Sequence, residues 1–288
     1  VPGARLTRFD VHDDGVNAWS MAHIAPPPAL AGLINGYCDY TERTGGFTAR
    51  RELPHGEGVL IVNLGDPITI IGGDGNILEL GMGEAFVAGV HLQPALSRSN
   101  GTQCGMHVFL PLTTLRRLLG VPMHLLLDRV VPLDAVLGPA ARQLGMELVE
   151  ARSRDARIAL LDAALVTRMA ETRPLAAIND HALALVSHRP DLDLRTVADM
   201  VGWSRKHLAD RIRDNVGIGP RSFRRLLRFH RVTRMVSAMP DPDWAGLAHD
   251  IGYCDQSHLI REFREFAGIT PSTFVARLLG ESGGLVEH

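Results

Sequence analysis

The chain is short of several things, and each shortage removes a class of function. Cysteine occurs three times in 288 residues, at Cys38, Cys104 and Cys254. That number is odd and the spacings are long, so there is no disulfide framework, and a reducing compartment is expected. No Cys-x-x-Cys pair offers itself to zinc. No apolar run approaches the roughly 18 uncharged residues of a membrane span. Val1 to Arg8 have neither a cationic start nor an apolar core, so no secretory signal is read there, and a cytoplasmic location follows as the expectation. Catalytic signatures are missing too: there is no Gly-x-Ser-x-Gly, no Walker-type loop and no His-Glu-x-x-His. The glycines of Gly72-Gly73-Asp74-Gly75 precede no helix with Lys-Ser or Lys-Thr, so they read as a turn. His55, His91 and His107 fall on separate predicted strands without a His-x-His pair, which predicts neither a metal nor a cofactor. Lysine is almost absent, with Lys206 the single example, so arginine is the default cation of this chain.

What is present is ordinary globular material, 45% apolar and 22% charged. At this length two domains are the natural expectation. The net charge of −2 conceals an asymmetry. Arg189 to Arg277 carries 15 basic and 11 acidic residues, while the remainder is acidic. Within Ser204 to Arg234 ten basic residues face only Asp210 and Asp214. A basic stripe on a near-neutral protein is the footprint of nucleic-acid binding.

Three regions follow one another. Residues 1–110 read as short strands, among them Gly58 to Leu64, Ile68 to Ile71, Ile77 to Leu80, Glu84 to Val90, His91 to Ser97 and Cys104 to Leu110. Close, regular spacing of that kind suggests a barrel or sandwich. At Pro111 the pattern changes to helical spacing, which continues to Arg173-Pro174. The apolar stripe of residues 111–173 is either core or a homodimer seam. Residues 174–280 read as helices throughout, and the closing Leu285-Val286-Glu287-His288 is given no part in the fold. The expected class is α+β: a strand-rich N-terminal barrel, a helical middle and an all-α C-terminal domain.

That last domain holds the most informative pattern, a helix-turn-helix that occurs twice. Leu194 to Ala209 and Trp244 to Ile260 each contain a short apolar-periodic helix that ends at Gly-aromatic (Gly202-Trp203, Gly252-Tyr253). Ser204 and Asp255 then stand where N-caps belong. Gly217 and Gly268 follow the second helices, where a C-cap needs positive φ, and Pro220 and Pro271 stand where helices can start. Leu208 and Ile212 are spaced to face inward, which leaves Arg205, Lys206, Ala209, Asp210 and Arg213 outward. Leu259, Phe263 and Phe266 likewise leave Gln256, Ser257, Ile260, Arg261 and Arg264 outward. Glutamine, arginine and a small apolar group are what reads adenine, guanine and the thymine methyl in a major groove. A linking helix over Pro220 to Ala238 spans roughly 25 Å at 1.5 Å per residue, enough to hold two such helices near one DNA turn apart. Its arginines cannot all face one way, and Arg228 suits an internal ion pair.

At these residues the chain resembles the DNA-binding domain of the AraC/XylS family of bacterial transcription regulators. The matching pieces are Gly202-Trp203-Ser204-x-x-His207-Leu208, Gly217-x-x-Pro220-x-x-Phe223, Gly252-Tyr253-x-Asp255-Gln256-Ser257-His258-Leu259-x-Arg261-x-Phe263 and Gly268-x-Thr270-Pro271-x-x-Phe274. The resemblance implies a regulator that reads two adjacent major grooves of promoter DNA. Carried over, base contacts fall on Lys206, Ala209, Asp210 and Arg213, and on Gln256, Ser257, Ile260 and Arg261. Phosphate contacts fall on Ser204, Arg205, Arg221, Arg225, Asp255 and Arg264. Ala209 and Asp210 stand where longer polar or basic groups are common, and Val275 departs from the family as well, so more of the specificity is expected from the second helix.

Family members commonly carry a cupin-like effector domain and helices that dimerise. The resemblance therefore implies a small-molecule effector, a homodimer and, for an activator, RNA polymerase as a partner. Leu53 to Leu64 and Phe86 to His91 look like the sensor domain of one AraC-type subgroup. His91, Gln93, Trp19 and Phe86 are the candidate effector contacts, with Tyr37, Tyr40, Phe47 and Phe109 as further aromatic candidates for a pocket or for barrel core. His91 and Gln93 are chosen because alternate strand residues face one side. Two other readings stand beside this one. The first is a cupin-type metalloenzyme with a DNA-binding tail. The second is a regulator that needs no ligand.

Overall fold

Alternation of apolar and polar residues builds the N-terminal region into two antiparallel sheets in the computed structural model, which describes residues 5–45, 49–237, 239, 241–277 and 285–286. The larger sheet contains β1 (Leu6–Asp13), β2 (Asn17–Ile24), β3 (Gly36–Thr44), β5 (Gly58–Asn63), β8 (Ala85–Ala88), β10 (Thr102–Leu110) and β11 (Val130–Pro132). Their order is β1-β2-β3-β10-β5-β8-β11. The smaller sheet runs β12 (Leu285–Val286), β4 (Ala49–Glu52), β9 (Ala95–Arg98), β6 (Ile68–Ile71), β7 (Ile77–Leu80). The sheets face one another, and Val59, Phe86 and Ala88 of one meet Ile68, Ile70 and Leu80 of the other. Among the described residues they share no ladder, so the expected cupin-like barrel exists there as two facing sheets and not as a closed cylinder.

The other face of the larger sheet is covered by α1 (Leu112–Leu119), α2 (Leu133–Leu137), α3 (Pro139–Glu150) and α4 (Arg154–Glu171). Ser153 caps α4, its hydroxyl accepting from the Ala156 amide at 3.2 Å. Asp162 then ties α4 to the strands. It accepts from the Tyr37 hydroxyl at 2.6 Å and pairs with Arg5 at 2.6 Å. α3 lies against the turn between β7 and β8 at Gly145, where a Cβ would stand 1.8 Å from the Gly83 carbonyl oxygen. Backbone on both sides leaves nothing flexible to yield. Gly145→Ala is therefore expected to lower stability by about 1–3 kcal/mol or more, read as a lower denaturant midpoint. An unchanged midpoint would show that α3 and the turn separate freely.

The C-terminal region is helical as predicted: α5 (Ala177–His188), α6 (Leu194–Met200), α7 (Arg205–Val216), α8 (Pro220–Val236), α9 (Trp244–Ile251), α10 (Gln256–Ala267) and α11 (Pro271–Arg277). The predicted end of the linking helix, Ala238, lies outside the described residues, as do positions 278–280 of the predicted domain. α8 is the axis of this region. It buries Phe223, Leu226, Phe229, Val232 and Val236, and Phe229 meets Phe263 and Phe266 of α10 at 5.1 Å between ring centroids.

Three expectations fail. Residues 111–173 are not wholly helical, because Val130–Pro132 returns to the larger sheet and pairs with β8. Leu285 and Val286 do belong to the fold, since they pair with Arg51 and Arg50 of β4, and Leu285 is buried. His91 to Pro94 form a loop and not the start of a strand. The Asp128 carboxylate pins that loop by accepting from the amides of Leu92 at 2.6 Å and Gln93 at 3.0 Å.

Candidate nucleic-acid interface and effector cavity

The two helix-turn-helix units are built by the same local chemistry. The Asp193 carboxylate caps α6 by accepting from the Thr196 amide at 2.7 Å, and Asp243 caps α9 through the amides of Ala245 and Gly246. Each first helix closes on a glycine with positive φ, 69° at Gly202 and 86° at Gly252, a conformation that only glycine adopts without strain. The next amide then turns back onto the helix, Trp203 to Ala198 and Tyr253 to Ala248, both at 2.8 Å. Ser204 and Asp255 cap α7 and α10, accepting from His207 at 3.1 Å and His258 at 2.7 Å. In both units the aromatic of the turn meets that histidine edge-on, with ring centroids 4.8 Å apart for Trp203–His207 and 5.2 Å for Tyr253–His258.

The outward faces carry the residues expected there. Lys206, Asp210 and Arg213 are exposed on α7, and Ala209 is half-buried. Gln256, Ser257 and Arg261 are exposed on α10, and Ile260 is half-buried. Arg205, Arg221 and Arg264 are exposed beside them.

Two of the residues expected at phosphate have partners within the protein. Arg225 is engaged internally: its Nε donates to Glu262 at 2.8 Å, and a second nitrogen pairs with Glu265. The carboxylate of Asp255 is taken up by its cap and carries the sign that phosphate repels. Arg228 has the internal role read for it, pairing with Glu262 at 3.0 Å and lying over the Tyr253 ring at 5.0 Å. Arg224 is also structural, since it donates to the carbonyls of Val186, Leu192 and Arg189. Sequence reasoning missed Glu262, a carboxylate only 2% exposed on the inner side of α10. The signal was a lone acid at an inward helical position opposite two arginines.

The strand region grips both recognition helices at their C-terminal ends. Arg116 of α1 pairs with the Asp214 carboxylate at 2.5 Å and donates to the Asp214 carbonyl at 3.2 Å, near the end of α7. Arg51 of β4 donates to the Ala267 carbonyl at 3.2 Å, at the end of α10. A cation at a helix C-terminus satisfies a free carbonyl and opposes the negative end of the dipole. Gly56, just past β4, packs against Leu227 and Phe223 of α8.

Between the two sheets lies a cavity of about 360 Å³. Its apolar lining includes Val59, Ile61, Ile68, Ile70 and Phe86. Its polar lining includes Tyr40, Glu42, Arg50, Glu52 and Ser97. Glu42 and Arg50 form an ion pair at 2.5 Å, and Glu52 accepts from Ser97 at 3.1 Å. Burial pushes the Glu42 carboxyl up, against the pull of Arg50. His23, His55, His91 and His107 also line this space. Burial pushes His55 down to about 4, with His230 of α8 adding to the effect, and pushes His107 down to about 3. The His55 and His230 rings lie 6.4 Å apart. Among the described residues no three His, Cys, Asp or Glu are arranged to hold a metal ion.

Of the candidate effector contacts, Phe86 and His91 line the cavity. Gln93 does not. It is exposed in the loop that Asp128 pins, so the strand alternation invoked for it is absent. Trp19 is buried outside the lining and stacks on His12 at 3.8 Å. Tyr40 and Phe109 line the space, Tyr37 faces α4, and Phe47 lies outside the described residues. His23, Glu42 and Arg50 were not foreseen. Their signal was a polar residue at alternate strand positions, which shows nothing until the buried face is known.

Comparison with known proteins agrees with this geometry. Residues 197–277 match the family model described as a helix-turn-helix domain, which is of the AraC type. No curated protein matches the chain. Among solved structures, ToxT from Vibrio cholerae has a TM-score of 0.50 at 10% identity, covering 85% of this chain and 99% of its own. A ToxT structure with bound unsaturated fatty acid has a TM-score of 0.48 at 9% identity, covering 84% of this chain and 94% of its own. The AraC-like transcriptional activator CuxR has a TM-score of 0.31 at 17% identity, covering 79% and 86%. At such identities the likeness to ToxT is one of fold. The C-terminal region carries an AraC-type helix-turn-helix domain, and the chain is consistent with an AraC/XylS-family, DNA-binding transcription regulator.

Proposed function

We propose that this protein sets α7 and α10 into two adjacent major grooves of promoter DNA, and that a small molecule in the cavity between the sheets adjusts that binding. The observation that carries the reading is the pair of matched helix-turn-helix units, which share one buried core along α8 and present exposed polar faces. Lys206, Ala209, Asp210 and Arg213 then meet bases in one groove, and Gln256, Ser257, Ile260 and Arg261 meet bases in the other. Phosphates are held by Ser204, Arg205, Arg221 and Arg264. The protein would work in the cytoplasm as a homodimer through its middle helices, with RNA polymerase as a partner if it activates. No catalytic role is assigned.

Selection of genomic fragments by the purified protein at near-physiological salt tests the reading. Recovery of a motif with two half-sites about one helical turn, roughly 34 Å, apart supports it. Fragments no richer than random, with and without candidate effectors, overturn it. On a recovered site, Arg261→Ala is expected to cost about 1–3 kcal/mol and to relax the preference at one base pair. Equal weakening on every sequence would make Arg261 a phosphate clamp instead.

The route from cavity to DNA runs through β4. Arg50 points into the cavity while its neighbour Arg51 holds the end of α10, since successive strand residues face opposite ways. A ligand that displaces the Glu42–Arg50 pair therefore moves the strand that positions the second recognition helix. Arg51→Ala is expected to keep ligand affinity within about twofold while removing most of the ligand's effect on DNA affinity, because coupling needs a contact that differs between states. Calorimetry and fluorescence anisotropy measure the two quantities separately. An undiminished ligand effect in the variant would remove Arg51 from the route.

A further inference from the structure

The larger sheet ends on β1, and that edge is open. β1 is eight residues long, and among the described residues no strand pairs with its outer side. The other sheet ends are short, as guarded edges usually are: β11 has three residues and closes with Pro132, β12 has two, and β7 has four. The phase of the ladder fixes which groups β1 offers. The Asp14 amide donates to the Asn17 carbonyl at 3.1 Å, which closes the β1–β2 hairpin. By alternation His12, Asp10 and Arg8 then bond to β2, while Phe9, Val11 and Asp13 turn their amides and carbonyls away from it. The register shifts once, between Leu6 and Arg8, and Arg8 to Asp13 follow without a break. That shift sets Leu6 opposite Ile24, Phe9 opposite Ala22 and Val11 opposite Ser20, so three apolar side chains share one face. They are 45%, 51% and 66% exposed. Unbonded backbone beside an exposed apolar stripe is a template for a further strand.

The sequence of β1 matches itself. In an antiparallel, two-fold pairing of β1 with a second β1, the axis can fall on Phe9, Asp10 or Val11. On Asp10 it sets two aspartates directly opposite, which is destabilising. On Val11 it sets Asp13 against Phe9. On Phe9 it sets Arg8 of each copy opposite Asp10 of the other, and Phe9 opposite Phe9. Opposite charges and paired aromatics both favour a cross-strand contact. Arg8 already bonds to Asp10 within one chain at 2.6 Å, so two arginines and two aspartates meet across the axis. Arg154, which lies over the Phe9 ring at 5.5 Å, is itself paired with Asp39 at 3.6 Å.

We infer that β1 is an interaction surface for a second copy of this chain, the two β1 strands pairing antiparallel about Phe9 so that one sheet runs through both copies. This contact is separate from the middle helices and needs neither ligand nor DNA.

Sedimentation of the full chain without DNA, at about 50 μM and so above the micromolar dissociation constant of a modest contact, is the first test. The wild type is expected to self-associate. Val11→Lys sets a cation on the open edge and is expected to halve the mass of the particle. The second test reads the register, and it stands even if the lysine variant fails to fold. Directly opposite Cα atoms of a hydrogen-bonded antiparallel pair lie about 5.5 Å apart, within the span of a disulfide. Cys254 is exposed, so the test uses a Cys254→Ser background. There Phe9→Cys is expected to give a covalent dimer on mild oxidation, and Asp13→Cys only traces of one. A monomeric wild type overturns the inference. So does an unchanged mass in folded Val11→Lys, which assigns self-association to another surface such as the middle helices. Equal linking by Phe9→Cys and Asp13→Cys, or none by either, overturns the pairing about Phe9.

Discussion

Glu262→Ala is expected to destabilise the C-terminal region by about 3 kcal/mol, the low end of the cost of breaking a buried ion pair. The carboxylate is 2% exposed and accepts from Arg225 at 2.8 Å and Arg228 at 3.0 Å. Tyr253 faces the same carboxylate, and burial beside it pushes the Tyr253 hydroxyl up. Truncation removes the shared acceptor of two guanidinium groups and leaves them beside an aromatic core. Arg225 and Arg228 retain part of their surface in water, at 40% and 30%, so some of the loss is relieved by hydration, which sets the lower figure. Glu262→Gln keeps the volume and one acceptor and is expected to lose about half as much. The consequence for function follows from position. Glu262 fixes α10 to α8, while Arg228 and Tyr253 fix the turn before α10, so the variant loosens the angle of the second recognition helix. The denaturant midpoint of both variants checks this. A change no larger than that of a surface substitution, about 0.5 kcal/mol, would mean that the Glu262 pairs contribute nothing to holding α10.

That network also marks how far the sequence could be read. The caps at Ser204 and Asp255, the glycines at 202, 217, 252 and 268, and the apolar faces of α7 and α10 are local features. Each is decided within one or two turns of chain, and all were legible. Arg228 was readable as internal because six arginines on one helix cannot share a face. Arg225 was not, because its acids lie 37 and 40 residues away and only packing reveals them. The strands were legible as strands, but the cavity was not. Which face of β3 or β4 is buried depends on register with partners far along the chain, so the alternation that holds Glu42, Arg50 and His23 cannot be interpreted until that face is known. Short pairings such as Val130–Pro132 and Leu285–Val286 have too few residues for any period to show. Gln93 failed for a related reason: Asp128, with φ of 58°, reaches back to hold the loop at 92–93, and nothing near Gln93 foretells it.

Acid is expected to unfold the protein through the cavity histidines. His55 and His107 stand at about 4 and about 3 in the folded chain, against an ordinary value near 6.5. Both line the cavity, and neither ring has a carboxylate partner in hydrogen-bond reach to favour its charged form. A depressed folded value means that the unfolded chain binds the proton first. Above about pH 6.5 both states are neutral and the groups contribute nothing to the pH dependence. As pH falls from there toward about 4, the unfolded state gains protons that the folded state refuses, and each histidine costs about 1.4 kcal/mol per pH unit. Two histidines give an upper figure of about 4 kcal/mol at pH 5. His91 and His230, also lowered by burial, act in the same direction, whereas Glu42, raised by burial, acts against it. Because His55 faces His230 across the contact between the strands and α8, a proton taken up by the folded ring also places a charge where the strand region meets the C-terminal helices. DNA binding should therefore weaken only toward about pH 4, below the window of the stability loss. Denaturant midpoints measured across pH 7 to 5, a range of about two units, check the first effect, and His107→Gln should flatten the slope by about one histidine's share. A wild-type midpoint that does not move over that range, or a variant that follows the wild type, would mean that these rings take up protons as freely in the folded protein as in the unfolded chain.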